Sequence, residues 1–291
     1  MIIIEKNWCI ANLAGIKTIK MKEIDLAIIG NLAFSNEVTP VTKRVCLGGG
    51  AYYAAVGSSA VSERIGLVSR IGPDFPVEPL IKRKIDIEGV KIVPEGETPV
   101  FTVYQNPDNA RIFANPKMGL ASEADPTIFP ASYLLAKYIY LATSLPDQHL
   151  LWIKNLKSRG IDKSRITANA FELYVREYPE LTKTVLLNVG TVFLNEEELN
   201  TLKQYGELML STPVVLTKGP LGVIYIDGNE IISVPAPKVN VVDTTGAGDT
   251  LAGVFLALRS QNIPIEQALE RAVNIASTSI TEFGVEHINP Y

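Results

Sequence analysis

Gly246, Ala247 and Gly248 place three small residues directly before a carboxylate, Asp249, within the stretch DTTGAGDTLAGVFLAL at 243–258. An apolar helical pattern starts at once, with Leu251, Val254, Phe255 and Leu258 at i, i+3, i+4 and i+7. Ala252, Gly253 and Ala257 would let such a helix lie close to a neighbour. The spacing predicts a glycine-rich turn that delivers backbone N–H groups to a helix N-terminus. Those groups have no intrahelical partner, and the helix dipole adds about half a positive charge there. This is an anion site, with phosphate its usual occupant. Side chains larger than Gly or Ala would hold the anion away from the backbone.

Beside such a site Asp249 repels phosphate unless it has another task. One task suits it: holding an acceptor hydroxyl in line with the phosphorus and taking its proton. The helix N-terminus is expected to keep Asp249 ionised, hence a weak base. A loose phosphoryl-transfer transition state, in which the proton leaves late, tolerates that. A plain helix cap accounts for the same residues, because Asp and Thr cap helices well and Gly-rich turns are common.

The elements that must position this stretch follow from the pattern upstream. Ile24 to Ile29 is a short apolar run ending in Gly30-Asn31, as a buried parallel strand with a ligand loop at its carboxyl end would be. The segment 36–47 alternates and reads as extended. Gly48, Gly49 and Gly50 then precede a helix of small residues, either to let a ligand touch backbone or simply to turn. A strand at 65–71, a short helix and loop over 77–91, and a β-hairpin over 92–118 with its turn at Asn106-Pro107-Asp108-Asn109 come next. The extended segment and the hairpin would form a small β-sheet lid that keeps water from the reaction. Beyond 119 strands and helices alternate. Strands are expected at 138–141, 165–168, 184–188, 191–194 and 214–217, with helices at 147–158, 171–177 and from Glu196. A hairpin at 222–234 and final helices over 264–282 complete the chain. Such alternation argues an α/β fold with a mostly parallel sheet between two helical layers.

With these elements in place, DTTGAGD followed by a small-residue helix resembles the C-terminal signature of the ribokinase/PfkB carbohydrate kinase family. The resemblance covers 21–291 and implies one ribokinase-like three-layer α/β/α domain with lid segments near 36–47 and 92–118. It implies an ATP-dependent kinase acting on a hydroxyl of a small polyhydroxylated ring: a sugar, a cyclitol such as myo-inositol, or a nucleoside. Asp249 would be the base, with the backbone of Gly246, Ala247 and Gly248 holding charge on the phosphate. Asn31, Ser35, Gly48, Gly49, Tyr53 and Asp243 would bind the acceptor. Asn195, Thr217, Lys218, Gly219 and Asn274 would border the nucleotide, and Glu198 would reach Mg2+ through water. Asp243 and Thr245 would contact the substrate or a monovalent cation, although loop capping explains them equally well. Asn195 and Glu198 match the family's Asn-x-x-Glu, while an acidic first turn is favoured on any helix. Thr217 to Gly222 matches its Thr-x-Gly-x-x-Gly loop.

Two positions depart from the family pattern. Ser35 stands where an Asp usually binds substrate hydroxyls, and Tyr53 stands where an Asn follows the Gly48-Gly49 pair. Both put a ribose- or fructose-type acceptor in doubt and motivate a rival expectation, a non-catalytic sugar or nucleotide sensor on the same fold. SRIGPDFP at 69–76 and GVEHI at 284–288 resemble the branch that includes myo-inositol kinases.

Composition narrows the classes further. A net charge of −4 gives no electrostatic reason to expect nucleic acid or an anionic membrane as partner. Two cysteines and two histidines support neither a disulfide framework nor a His-based metal site, and fit a cytoplasmic protein. No apolar run reaches the roughly 18 residues of a membrane span. GxxxxGK[ST] is absent, so this is not a standard P-loop, and no GxGxxG follows the first strand. Residues 1–20 either add an edge strand or precede a start at Met21. A lid edge could pair two copies into a homodimer.

Overall fold

The computed structural model describes residues 23–38, 42–105, 111–206, 208 and 210–291. The expectations for residues 1–20 and for the hairpin turn at 106–109 lie outside them. In chain order the elements begin with β1 (Leu26–Ile29), β2 (Ala33–Val38), β3 (Lys43–Gly48), α1 (Gly50–Ser59), β4 (Ile65–Ile71), α2 (Glu78–Lys82) and β5 (Asp86–Ile92). The antiparallel pair β6 (Val100–Gln105) and β7 (Arg111–Lys117) follows. Then come β8 (Tyr138–Leu141), α3 (Pro146–Ser158), β9 (Ile166–Asn169), α4 (Glu172–Glu177), α5 (Pro179–Leu187), β10 (Thr191–Asn195) and α6 (Glu196–Gln204). The chain closes with β11 (Val214–Thr217), β12 (Val223–Asp227), β13 (Glu230–Val234), α7 (Ala247–Ser260) and α8 (Ile265–Ser279).

Nine strands form one sheet in the order β13-β12-β11-β10-β9-β8-β1-β4-β5, and four form a second in the order β3-β2-β6-β7. The large sheet is parallel except for the antiparallel β11-β12-β13 edge. Its central strands are covered on both faces, and β1 shows how. Leu26 and Ile28 point into a core shared with α1, α7 and α8, while Ala27 and Ile29 point into a second core with α3 and α5. A period of two thus feeds two helical layers from one apolar run. The expected three-layer α/β/α arrangement with a small second sheet is what the chain adopts.

Strand order reverses at β1. The chain first builds β4 and β5 on one side, then returns to place β8 and the later strands on the other. Open α/β sheets bind ligands outside the strand carboxyl ends at such a switch point. Here those ends carry Gly30-Asn31 after β1 and Ala142-Thr143 after β8.

α1 and α7 pack against each other beneath this point. From Ala51 to Ser59 every residue of α1 is buried, as a helix apolar on all sides must be. Close approach depends on Gly253: a Cβ there would lie 2.4 Å from the Ala54 carbonyl oxygen. The small residues noted around the helix at 251–258 therefore set the distance between the two helices.

Three expected elements differ. Residues 184–188 are not a strand but the end of α5. Thr182, Val185 and Leu186 are buried at helical spacing, and Pro179 opens the helix at its first turn. The β-branched residues there suggested strand, and tertiary burial overrode that propensity. Residues 77–91 hold more than a helix and loop, because β5 forms the sheet edge with Glu88, Lys91 and Ile92 exposed. Charged residues suit an edge strand and obscure it in a pattern search. Over 264–282 one helix, α8, replaces the expected several. No helix among the described residues is long and apolar enough to cross a membrane.

Candidate active site

A cavity of about 460 Å³ opens at the carboxyl ends of the central strands. Its floor is the turn before α7. Asp243 Oδ1 accepts from the Thr245 N–H at 2.9 Å, which bends the chain into Gly246. Gly246 adopts φ 76°, ψ 2°, the left-handed region that glycine enters without steric cost. A Cβ on Gly246 would fall 2.2 Å from Tyr53 Cγ, so the Tyr53 ring lies directly on this turn. α7 then begins, and Thr250 N–H bonds to the Gly246 carbonyl at 2.8 Å. The N–H groups that precede it in the helix belong to Ala247, Gly248 and Asp249, and the cavity is lined by all three residues.

The Asp249 side chain reaches from α7 towards β8 and β9. Its Oδ1 accepts from the Tyr140 hydroxyl at 2.9 Å and from Asn169 Nδ2 at 3.1 Å. Thr143 Oγ1 lies 3.5 Å from Oδ1 and 3.4 Å from Oδ2, and itself accepts from Asn169 Nδ2 at 2.7 Å. Burial pushes the Asp249 carboxyl up to about 6, opposed by the hydrogen bonds from Tyr140 and from the Thr143 backbone and hydroxyl. The group is therefore mostly ionised at neutral pH, as expected, but is a stronger base than the helix dipole alone implies. Desolvation outweighs the dipole and brings the group close to the range where a general base works best.

The remaining sequence candidates divide into two sets. Asn31, Ser35, Gly49, Tyr53, Asn195, Glu198 and Thr217 line the cavity together with the α7 turn. Gly48 lies just behind, ending β3 beside the Tyr53 phenol. Asn195 and Glu198 form a reciprocal cap on α6: Glu198 N–H donates to Asn195 Oδ1 at 2.7 Å, and Asn195 N–H to Glu198 Oε2 at 2.8 Å. The pair therefore caps α6 and lines the cavity at once. Burial raises the Glu198 carboxyl to about 8, and the Asp249 charge adds to the rise.

The second set stands outside the cavity wall. Asp243 is buried and turned to Thr245. Lys218 pairs with Glu196 at 3.0 Å. Gly219 begins a short 3-10 turn, and Asn274 is exposed on α8.

Sequence reasoning missed Tyr140, Thr143 and Asn169, although it placed strands ending at or just before the last two. The carboxyl end of a central parallel strand was the available signal. It also missed the aromatic wall of Phe171 and Tyr174, whose rings meet edge to face at 5.2 Å. The small sheet closes the opposite side through Phe101 and Val103, with Met118 just past the end of β7, as a lid would.

His149 anchors the turn that carries Thr143. The buried imidazole Nε2 bonds to the Ala142 carbonyl at 3.0 Å, and burial holds its pKa down at about 4. The unfolded chain takes up this proton near pH 6.5, the folded chain only near 4. Stability is therefore full above pH 6.5 and falls as pH drops through that window, by about 2 kcal/mol at pH 5. A His149→Asn variant is expected to show a shallower loss of stability between pH 7 and pH 5 in denaturant titrations. Equal slopes in both proteins would contradict this.

Comparison with known proteins agrees with the geometry. The profile of the pfkB family carbohydrate kinases matches residues 19–290. A cytidine kinase from Thermococcus kodakarensis is 29% identical over 278 residues, 90% of this chain and 98% of that protein. A nucleoside kinase from Methanocaldococcus jannaschii, an archaeal member of the ribokinase family, superposes with a TM-score of 0.76 at 21% identity, covering 92% of this chain and 95% of its own. The Burkholderia thailandensis nucleoside kinase, solved with inosine, gives 0.74 at 16% identity over 91% of this chain and 93% of its own. The chain belongs to the pfkB family of carbohydrate kinases and is a phosphotransferase with a hydroxyl group as acceptor.

Proposed function

We propose that the chain transfers the γ-phosphate of ATP to a hydroxyl of a nucleoside. The observation that carries the transfer is the Asp249 carboxylate standing in the first turn of α7, beside helix N–H groups that line the same cavity. Asp249 takes the proton of the acceptor hydroxyl. The freed electron pair on oxygen forms the new O–P bond, and the bond from phosphorus to ADP breaks with its pair left on the departing oxygen. The N–H groups of Gly248 and Asp249 meet the negative charge that builds on the transferred group; one preorganised donor of this kind is worth about 100- to 1000-fold in rate. The Ala247 N–H donates instead to the Thr244 carbonyl at 3.4 Å.

Mg2+ fits the donor set at Glu198. This buried carboxylate already spends Oε2 on Asn195 N–H, and a nearby cation would offset the desolvation that pushes it to about 8. Mg2+ dehydrates reluctantly, so contact through water suits one carboxylate better than a full protein cage. When bound, the ion supplies charge neutralisation at the phosphates. Asn195 and Thr217 border that end of the cavity.

Support for a nucleoside comes from the aromatic faces of Phe101, Phe171 and Tyr174 around the cavity, and from the cytidine and nucleoside kinases it resembles. Ser35 and Tyr53 line the lid side; the Ser35 hydroxyl donates to the Glu37 carboxylate, which leaves its oxygen to accept from a sugar hydroxyl. Glu172, Glu177 and Asp249 line the cavity and place negative charge there, which disfavours an acidic acceptor. A unit charge about 10 Å away at an effective dielectric near 20 costs about 1.7 kcal/mol, more than tenfold in affinity.

The test is ADP release from Mg-ATP with cytidine, adenosine, guanosine, myo-inositol, ribose, fructose and ketodeoxygluconate. Turnover is expected with a nucleoside, and ketodeoxygluconate, which carries a carboxylate, should fall at least tenfold behind. Preference for ketodeoxygluconate would overturn the acceptor assignment.

A further inference from the structure

The ring of Tyr140 has an ordinary packing role. It meets Phe193 edge to face at 5.8 Å, and Phe193 meets Phe255 at 6.1 Å, forming an aromatic ladder between the sheet and α7. A phenylalanine would serve that ladder equally well. The hydroxyl is a separate matter. It is wholly buried, and a buried hydroxyl costs stability unless it is hydrogen-bonded. Its partner is Asp249 Oδ1, at 2.9 Å. Asn169 reaches the same oxygen from the end of the neighbouring parallel strand, and at the same time ties down Thr143.

We propose that Tyr140 and Asn169 are positioning residues for phosphoryl transfer: they hold Asp249 Oδ1 from two adjacent strands, so that Oδ2 is the oxygen that takes the proton of the acceptor. The inference rests on the reading of Asp249 as base. The terminal torsion of an aspartate is broad and roughly two-fold, so an unrestrained carboxylate would sample many orientations. In-line attack needs the acceptor oxygen within about 3–3.5 Å of phosphorus, and a base that wanders cannot keep its hydroxyl there. Two donors on Oδ1 supply the restraint. The Tyr140 bond also favours the ionised carboxylate and offsets part of the burial that raises its pKa; the N–H donated by Asn169 to the same oxygen acts in the same sense. Tyr140 itself stays protonated, because burial and the Asp249 charge both push its pKa well up.

The titratable groups that face Asp249 are Tyr140 from β8 and Glu198 from α6. β9 contributes Asn169 and α1 contributes Gly50, neither of which titrates. A Tyr140→Phe variant removes one hydroxyl and keeps the ladder. Its acid limb in kcat/KM is expected to move up by about one to two pH units, the worth of one hydrogen bond to a charge. The loss in kcat should be about tenfold at pH 6 and smaller at pH 8, with KM for ATP within twofold of the parent. Asn169→Ala should shift the limb in the same direction, and carries the test should Tyr140→Phe fail to fold. An unmoved acid limb, or a loss of the same size at every pH, overturns the proposal. Asp249→Asn run alongside separates the two claims. If it keeps near-normal turnover, the base assignment itself fails. If it is inactive while the Tyr140→Phe limb stays put, only the positioning role fails.

Discussion

Asp249→Asn is expected to lose about two to four decades of acceptor-dependent turnover while the fold and ATP binding persist. The substitution is nearly isosteric, and the amide oxygen can still accept from Tyr140 and Asn169. What disappears is the ability to take a proton and to keep the acceptor hydroxyl in line. Stability should move the other way. The folded-state pKa of Asp249 is raised above its ordinary value by burial, so the ionised form is disfavoured in the folded chain and weakens it at neutral pH. That cost fades as pH falls through about 6 towards the unfolded value of 3.8. Replacing the charge by a neutral amide removes it, so the melting temperature at pH 7 should be equal to or above that of the parent. For the same reason parental kcat/KM should fall below about pH 6, as Asp249 becomes protonated. Turnover within tenfold of the parent, or a fall in melting temperature together with activity, would count against a base and for a structural cap.

Gly246→Ala is the second large effect. Two costs meet at one atom. The left-handed backbone of Gly246 disfavours any Cβ by about 1–2 kcal/mol, and that Cβ would stand 2.2 Å from the Tyr53 ring. The ring or the turn must move. Either motion displaces the first N–H groups of α7, and a turnover loss of about 100- to 1000-fold is expected. Gly160→Ala is the control for backbone strain alone. Gly160 also has positive φ, +83°, but nothing lies within 4 Å of its Cβ position. That variant should lose some stability and keep its turnover. Similar stability losses in the two variants, with Gly246→Ala fully active, would show that the turn does not position anything the reaction needs.

The signature turn was legible because its chemistry is local. Gly246, Ala247, Gly248 and Asp249 are consecutive, and the apolar period that follows marks a helix start. The mostly parallel sheet was legible for a similar reason, since alternating strands and helices leave few topologies. What surrounds Asp249 was not. Tyr140 and Asn169 lie 109 and 80 residues away in sequence and meet it through long-range contacts. Their own segments read as ordinary strands, and only the strand order shows that β8 and β9 end beside α7. The pKa of Asp249 was misjudged on the same ground: the helix terminus is visible in sequence, whereas the burial that outweighs it is not. Asn195 and Glu198 show the opposite case: they open an acidic first turn, close a capping box on α6, and lie on the cavity wall at the same time. α5 and β5 were misread because β-branched residues and edge-strand charges mimic other elements.

The most direct test of the central claim follows ADP production from Mg-ATP with purified protein, in the presence and absence of cytidine, with Asp249→Asn as the blank. Phosphoryl transfer at Asp249 predicts ADP release that requires the nucleoside, yields one phosphorylated nucleoside per ADP, and vanishes in the variant. ADP release that ignores every acceptor tested, or that survives in Asp249→Asn, would contradict it.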